Sequence, residues 1–362
     1  MSLPASADIL SPLRQHFHDV VLPMWRVQGF NAELGLPFEA LDASGRQAMP
    51  VQRYRAMACA RQIFVFSHAP GGQAHAGTLF DTLVRVFRNP QGGWYYSVDA
   101  QGNALDETQD LYTHAFIVLA CAALFERTRR RDAHQLLLST VRDIESRFRD
   151  PAGRYIAACD TQGKALRGPE QNPVMHLTEA YLAAAGLVEP AWFAERLRGL
   201  ANQVLELYVD TRSHCVMEFG DGRHDNHIEP GHQFEWVALL DSAPEVFAGL
   251  ELAAVLPRAA AWAEARGVAA DTAGVCAALH PDGSIKDASQ RIWAQTEYAR
   301  YLGLAISAAP PARRAWQLQA LQTRFLHDKG WHEVLGPQGE VLRADMPSTT
   351  PYHLWTGYVA TR

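Results

Sequence analysis

A unit of about 60 residues recurs along this chain, and no other sequence feature restricts its possible folds as strongly. Each copy opens with a short run of aromatic or β-branched residues, followed by a turn that contains glycine. The runs are Gly93–Asp99, Gly153–Ala157, Cys215–Phe219, Val275–Leu279 and Gly330–Leu335, with a degenerate copy between Gly29 and Gly45. Their turns lie at 101–103, 161–163, 220–222, 281–283 and 337–339. Short β-hairpins are therefore predicted at regular intervals.

Two helical patterns separate consecutive hairpins. The first pattern, for example 110–127, is apolar on nearly all sides, which is typical of a helix buried between neighbours. The second, for example 132–147, has one apolar stripe between charged flanks, as expected of an outer helix. Similar pairs are found at 55–69 and 75–88, 173–187 and 190–208, 232–243 and 246–265, and 290–307 and 311–326.

These patterns predict an all-α fold, an (α/α)6 barrel of six helical hairpins in a closed toroid, with short β-hairpins in the loops at one end. A repeat of this kind cannot bury its apolar face alone but can do so against its neighbours. The last inner helix, which begins near Tyr352, has no outer partner after it, and the N-terminal helix Ile9–Val20 can supply one and close the ring. An open α-solenoid is the alternative. We expect a single catalytic domain over residues 1–362.

Charge and composition argue against several classes of function. The formal net charge is −6 and no basic stripe occurs, so we expect no nucleic-acid partner. No run approaches the ~18 apolar residues of a membrane helix, and Met1–Trp25 does not resemble a signal peptide, which predicts a cytoplasmic protein that does not bind membranes. The five widely spaced cysteines favour reduced thiols over disulfides or a zinc site. A monomer and a homodimer are both compatible with the sequence.

Polar residues of unusual type collect at the predicted starts of the inner helices. In Glu229–Trp236, His232 and Glu235 lie three positions apart on the first turn of a very apolar helix. The hairpin loops lead into the inner helices, so the helix starts should surround one mouth. The side chains at or near these starts are Arg61, Tyr112, His114, Asn172, His176, His232, Glu235, Trp293, Gln295, Glu297 and His353. Each one alone could be structural, but their recurrence at equivalent points favours a shared site.

Several functions fit such a set of residues. Histidines and carboxylates could hold a metal ion, although their spread over different helices and the arginine argue against it. Glu235 and Glu297 could be the carboxylate pair of a glycosidase. Imidazoles suit proton transfer at neutral pH, and removal of the proton α to a sugar carbonyl needs a base, an acid and donors that stabilise an enediolate. A sugar-binding protein without activity is a further hypothesis, disfavoured because both candidate proton-transfer histidines are present.

Five segments together resemble the N-acylglucosamine 2-epimerase superfamily, in the family's order and across nearly the whole chain. They are Ala60–Ser67, Asn172–Tyr181, Pro230–Trp236, Trp293–Glu297 and Thr349–His353. The resemblance implies an (α/α)6 barrel and proton transfer at C1 and C2 of an open-chain sugar, without a metal or another cofactor. It implies that His232 and His353 are the acid/base pair, with Arg61 on the carbonyl or enediolate oxygens. The substrate-binding residues expected are Tyr112, His114, Asn172, His176, Glu235, Trp293, Gln295 and Glu297.

Two segments suggest a branch within this superfamily. Tyr112–Phe116 and Thr349–His353 look more like the mannose isomerase and sulfoquinose-type isomerase branch than like the cellobiose epimerases. The chain is also short for the family, which leaves less loop for a disaccharide, and no Arg/Lys cluster suits a phosphate. We therefore expect an aldose–ketose isomerase of a free monosaccharide, with D-mannose and D-fructose as the pair. The alternative is a sugar 2-epimerase of the N-acylglucosamine or cellobiose/mannose type on the same scaffold.

Overall fold

The computed structural model describes residues 6–220 and 222–361, so Asp221 in the predicted turn at 220–222 lies outside the described residues. The chain divides into two compact units. Unit 1 comprises 1–24, 42–46 and 204–362, and unit 2 comprises 25–41 and 47–203. The expectation of a single domain over 1–362 stays a prediction. No helix in the described part of the chain is long and apolar enough to cross a membrane.

The helices follow the predicted alternation. In chain order they are α1 (Ser6–His16), α2 (Leu22–Arg26), α3 (Ala56–His68), α4 (Gln73–Phe87), α5 (Leu111–Thr128), α6 (Arg131–Arg147), α7 (Gln171–Ala185), α8 (Pro190–Leu207), α9 (Pro230–Asp241), α10 (Pro244–Phe247), α11 (Glu251–Gly267), α12 (Ile292–Tyr301), α13 (Pro311–Phe325) and α14 (Thr350–Leu354). Short non-α segments are the π-helical turns Phe17–Val21 and Trp355–Val359 and the 3₁₀ turn Ala305–Ser307.

Inner and outer helices differ in burial as their patterns predict. Every residue of α9 from Pro230 to Leu240 is buried, and α5 is buried from Thr113 to Leu124. The outer helix α6 buries one stripe only, formed by Ala133, Leu137, Thr140, Val141 and Ile144. Within unit 2, α5 packs against both α3 and α7, and within unit 1, α9 packs against both α11 and α12. The cores of both units therefore lie along the inner helices.

The strands are short, and all the pairings described below are antiparallel. They are β1 (Phe30–Asn31), β2 (Leu36–Pro37), β3 (Ala40–Leu41), β4 (Tyr54–Arg55), β5 (Ser97–Val98), β6 (Ala104–Asp106), β7 (Gln109–Asp110), β8 (Ala158–Cys159), β9 (Ala165–Arg167), β10 (Ala278–Leu279), β11 (Ile285–Asp287), β12 (Gln290–Arg291), β13 (Leu326–His327), β14 (Gly330–Trp331), β15 (Val334–Leu335), β16 (Val341–Arg343) and β17 (Met346–Pro347). The sheets within unit 2 are β1-β2, β4-β5-β6 and β7-β8-β9, and those within unit 1 are β10-β11, β12-β15-β16 and β13-β14.

Each hairpin holds the start of the inner helix that precedes it. The strand before an inner helix pairs with the following hairpin: β7 before α5 pairs with β8, and β12 before α12 pairs with β15. The first N–H of the helix then donates to that hairpin, from Leu111 to the Ala157 carbonyl (2.9 Å) and from Ile292 to the Glu333 carbonyl (3.1 Å). Because these N–H groups have no partner inside the helix, the hairpin satisfies them and fixes where the helix begins.

Two helices are shorter than predicted. The outer helix expected over 246–265 begins at Glu251, because Gly249 has a φ of +77°, a left-handed conformation that ends helical structure. The inner helix expected over 290–307 ends at Tyr301, followed by a 3₁₀ turn and a left-handed Ala308. Neither change moves a predicted site residue out of its helix.

Candidate active site

Most of the predicted site residues occupy two equivalent positions of the inner helices. Tyr112, Asn172 and Trp293 are each the second residue of their helix. Arg61, His176, Glu235 and Glu297 are each the sixth residue of α3, α7, α9 and α12, respectively. The two positions are four residues apart and so lie on one helix face. The polar residues that recur in the sequence therefore occupy equivalent positions in the inner helices of different repeats.

His114 and Gln295 occupy a different position, the fourth residue of their helices, and there they serve the backbone. The Gln295 amide accepts from the Val275 N–H (2.8 Å) and donates to the Val275 carbonyl (2.9 Å). The His114 Nδ1 contacts the Asp110 carbonyl (2.8 Å), and burial lowers the pKa of His114 to about 4. These two residues lie outside the two positions shared by the seven residues above, and they fasten hairpin and helix starts. Their expected part in substrate binding stays a prediction.

His232 forms a buried pair with Glu218, a residue of the preceding hairpin. The His232 Nδ1 lies 2.7 Å from the Glu218 Oε1 and 3.9 Å from the Glu229 Oε2. The Glu218 carboxylate oxygen is the acceptor of this contact, so Nδ1 carries the proton. Burial lowers the pKa of His232, but the negative charges of Glu218, Glu229 and Glu235 outweigh it and raise this pKa to about 9. His232 is therefore an imidazolium at neutral pH.

His353 forms a second buried pair, with Glu297 of α12. The His353 Nδ1 lies 2.9 Å from the Glu297 Oε1, and the Glu297 side chain is fully buried. The other oxygen of Glu297 accepts from the Arg300 guanidinium at 3.4 Å. Glu235 also approaches this pair, since one oxygen each of Glu235 and Glu297 and a nitrogen of His353 lie within 4.8 Å of one another. Here too the carboxylate fixes Nδ1 as the donor.

Trp293 connects the two pairs within unit 1. Its ring centroid lies 4.9 Å from that of His232 and 5.5 Å from that of His353. Gly231 permits this approach, because a Cβ at that position would lie 2.6 Å from the Trp293 ring. The indole Nε1 of Trp293 is buried and has no hydrogen-bond partner among the described residues. Unit 1 thus places two oriented imidazoles beside one indole.

Unit 2 contains a separate group around Arg61. The Arg61 guanidinium donates to the Tyr112 hydroxyl (2.5 Å) and lies 4.2 Å from the centroid of the Phe116 ring. The His176 ring packs against Tyr112 (4.9 Å) and Phe116 (4.7 Å). Its Nδ1 contacts the Glu179 Oε2 at 3.2 Å, so a carboxylate orients this imidazole as well.

Sequence reasoning missed the carboxylates that orient the histidines. Glu218 interrupts the apolar run Cys215–Phe219, and a charge in such a run was the available signal. Glu179 lies one turn after His176 and was visible as an i,i+3 pair. Glu229 immediately precedes α9.

In unit 2, Asn172 lies one turn before His176, and its Oδ1 is buried without a hydrogen-bond partner among the described residues.

Two groups of side chains have the composition of a metal site. They are Glu218, Glu229 and His232, and Glu235, Glu297 and His353, each with ligand atoms within 4.8 Å of one another. A metal needs an unprotonated nitrogen, whereas Nδ1 in both pairs is the donor to a carboxylate. The arrangement suits proton transfer through the two Nε2 atoms better than it suits metal binding, and the expected absence of a metal stays a prediction.

The chain matches the model of the N-acylglucosamine 2-epimerase (GlcNAc 2-epimerase) family over residues 37–357. Mannose-6-phosphate isomerase of Rhizobium meliloti (strain 1021) is 29% identical over 371 residues, which cover 93% of this chain and 92% of that protein. D-mannose isomerase of Thermobifida fusca is 28% identical over 280 residues, which cover 68% of this chain and 64% of that protein.

Two solved structures share the fold. A cellobiose 2-epimerase from Bacillus thermoamylovorans B4167 superimposes with a TM-score of 0.86 and 18% identity, covering 96% of this chain and 97% of that one. A D-mannose isomerase superimposes with a TM-score of 0.84 and 20% identity, covering 96% of both chains. The (α/α)6-barrel fold class predicted from the repeats is thereby confirmed. Together with the family model, these relatives identify a sugar isomerase or epimerase. The chain belongs to the N-acylglucosamine 2-epimerase family.

Proposed function

We propose that this enzyme is an aldose–ketose isomerase that interconverts free D-mannose and D-fructose. The observation that carries the proposal is the pair of buried imidazoles in unit 1, each oriented through Nδ1 by its own carboxylate and both in contact with Trp293. Transfer of a proton between C2 and C1 of an open-chain sugar needs a base at carbon and an acid at oxygen. Two histidines, each oriented through Nδ1 by a carboxylate, can supply both.

We propose different roles for the two histidines on the basis of their surroundings. His232 is charged at neutral pH because its pKa is about 9, so it is the acid. The carboxylate of Glu297 contacts both His353 and Arg300, and we propose His353 as the base. An acid and a base of this kind are each worth about 10²–10⁴ in rate.

The reaction proceeds in two balanced steps after ring opening. His353 removes the C2 proton, the C2–H electron pair forms the C1=C2 bond, and O1 takes a proton from His232. In the second step the O2–H proton returns to His232, C2 becomes the ketone carbon, and His353 delivers its proton to C1. Both histidines regain their starting charge, so no net proton is consumed. Return of the proton to the opposite face of C2 would instead give the 2-epimer.

The remaining site residues keep the roles that the family resemblance implies, as predictions. Arg61 is expected to stabilise the carbonyl and enediolate oxygens, since a guanidinium offers several donors to developing negative charge. Asn172, His176 and Glu235 are expected to bind hydroxyls, and Tyr112 and Trp293 to line the sugar. The buried acceptor of Asn172 and the buried N–H of Trp293, both without partners among the described residues, are suited to a polyhydroxylated ligand.

The charges in unit 1 support a neutral sugar over a sugar phosphate. Four carboxylates, Glu218, Glu229, Glu235 and Glu297, surround the two imidazoles. A phosphate dianion brought close to these carboxylates would meet repulsion that a hydroxymethyl group would not. We therefore propose D-mannose and not its 6-phosphate as the substrate.

The decisive experiment is incubation of the chelator-treated protein with D-mannose in D₂O, followed by NMR, with D-mannose 6-phosphate as the matched second substrate. We expect fructose from D-mannose and a much lower kcat/KM with the phosphate. Glucose as the sole product would make the enzyme a 2-epimerase. A higher kcat/KM with the phosphate would overturn the choice of a free sugar, and loss of turnover on chelation would overturn the metal-free mechanism.

A further inference from the structure

Glu333 occupies the same position of its repeat as Glu218. In each hairpin the N–H of this residue donates to the second strand or the loop after it, from Glu218 to the His227 carbonyl (3.1 Å) and from Glu333 to the Arg343 carbonyl (2.9 Å). The Glu218 carboxylate contacts His232, the third residue of α9. The equivalent carboxylate in the last repeat has no part in the mechanism above, although it is buried and within the same unit.

Glu333 joins the starts of two inner helices. Its carbonyl accepts the first N–H of α12, from Ile292, at 3.1 Å. Its carboxylate Oε2 accepts from the hydroxyl of Thr350, the first residue of α14, at 2.8 Å and from the Trp331 indole at 2.9 Å. Burial raises the pKa of Glu333, and these two donors oppose that rise. A buried carboxylate with two neutral donors is tied firmly to both of them.

The two helices that Glu333 joins carry the two members of the His353 pair. Glu297 lies on α12, and His353 lies on α14, three residues after Thr350. The α14 helix has five residues and continues into a π-helical turn, so it is held weakly by its own hydrogen bonds. The Thr350–Glu333 bond therefore sets where α14 begins relative to α12, and with it the 2.9 Å contact between His353 and Glu297.

We propose that Glu333 is a positioning residue that holds His353 in register with Glu297 by clamping the starts of α12 and α14. Its direct target is the Thr350 hydroxyl, and its effect on turnover is exerted through His353. The kinetic part of this inference rests on the proposed function, whereas the geometric part does not. Misplacement of a catalytic group by about 1 Å can cost on the order of 10² in rate.

The geometric part is tested by NMR of protein selectively labelled with ¹⁵N-histidine. The Nδ1–H signals of His232 and His353, each bonded to a carboxylate, are identified by their loss in His232→Gln and His353→Gln. We expect Thr350→Val to shift or broaden the His353 signal and to leave the His232 signal in place, and Thr350→Ser to restore it. Glu333→Gln, whose amide oxygen still accepts both donors, should retain it. The matched control is Thr140→Val, which removes another buried hydroxyl, one that accepts from the Trp94 indole.

The kinetic part uses the same variants with the sugar that the enzyme turns over. We expect Thr350→Val to lower kcat by about tenfold or more with little change in KM, and Thr140→Val to leave both near wild type. An unchanged His353 signal in Thr350→Val would overturn the proposal whatever the substrate proves to be. Equal perturbation of both histidine signals would also overturn it, because that result would mean general loosening of the fold. If the His353 signal moves as expected but no sugar is turned over, the proposed function is wrong and the positioning of His353 by Glu333 is still supported.

Discussion

The two histidine–carboxylate pairs of unit 1 are built alike but surrounded differently. Glu218 reaches His232 from a hairpin, and two further carboxylates, Glu229 and Glu235, add negative charge around the same imidazole. Glu297 reaches His353 from a neighbouring inner helix and shares its charge with Arg300. The raised pKa of His232 keeps that imidazole charged, whereas at His353 the Arg300 guanidinium also contacts the partner carboxylate. The difference shows how one motif, used twice, can yield an acid and a base.

The largest expected effect comes from removing either imidazole. His232→Gln and His353→Gln should each lower kcat by about 10²–10⁴-fold, because each removes one proton-transfer group. Turnover and thermal unfolding are measured together, so that loss of folding is recognised. Activity within tenfold of wild type for either folded variant would contradict a two-histidine mechanism, and it would leave the remaining histidine as the sole base.

The charge on His232 should also affect how the free energy of unfolding depends on pH. Its pKa is about 9 in the folded protein against an ordinary value of 6.5. A raised pKa contributes stability that is fully present below pH 6.5 and is lost as pH rises through 9; the difference corresponds to roughly 3 kcal/mol at most. We expect wild type to lose this increment of unfolding free energy between those two pH values, and His232→Gln not to lose it. Denaturant unfolding of both proteins across that pH range measures the difference. Parallel stability profiles would show that folding does not raise the pKa of His232.

Removing one carboxylate from each pair tests whether the two imidazoles differ in charge. Since the acid must be charged, kcat/KM should fall as pH rises through the pKa of His232 in the free enzyme, near 9. Glu218→Gln keeps an acceptor for Nδ1 but removes a charge, so the alkaline limb should move down by about one pH unit, roughly 1.4 kcal/mol. Glu297→Gln is the matched control and should leave that limb in place. If both variants moved the limb equally, the two pairs would not differ in the way that their surroundings indicate.

How much of this could be read from sequence depends on the range of the interactions. The fold was predictable because each repeat carries its own turn glycines and helical periodicity. The helices that carry the site were predictable because polar residues recur four positions apart, as Asn172 and His176 do. The pairing of His232 with Glu218 could not be predicted from the sequence. It depends on a hairpin that folds back onto a helix which begins after an intervening loop. At His114 and Gln295 the sequence does not separate two roles, because polarity in an apolar helix is the same signal for a ligand contact and for a backbone anchor.

The smallest effect on turnover is expected where sequence and structure diverge most, at Gln295. Its amide bonds the Val275 backbone as the amide of Gln233 bonds that of Val216, so both side chains fix a hairpin to a helix start. Gln295→Met should lower the free energy of unfolding by about 1–3 kcal/mol, because it leaves buried backbone groups without partners. The kcat and KM should stay within about threefold of wild type, and Gln233→Met should behave in the same way. A tenfold rise in KM for Gln295→Met alone would support the prediction that Gln295 is a sugar ligand. Such a result would mean that its amide leaves Val275 when substrate binds.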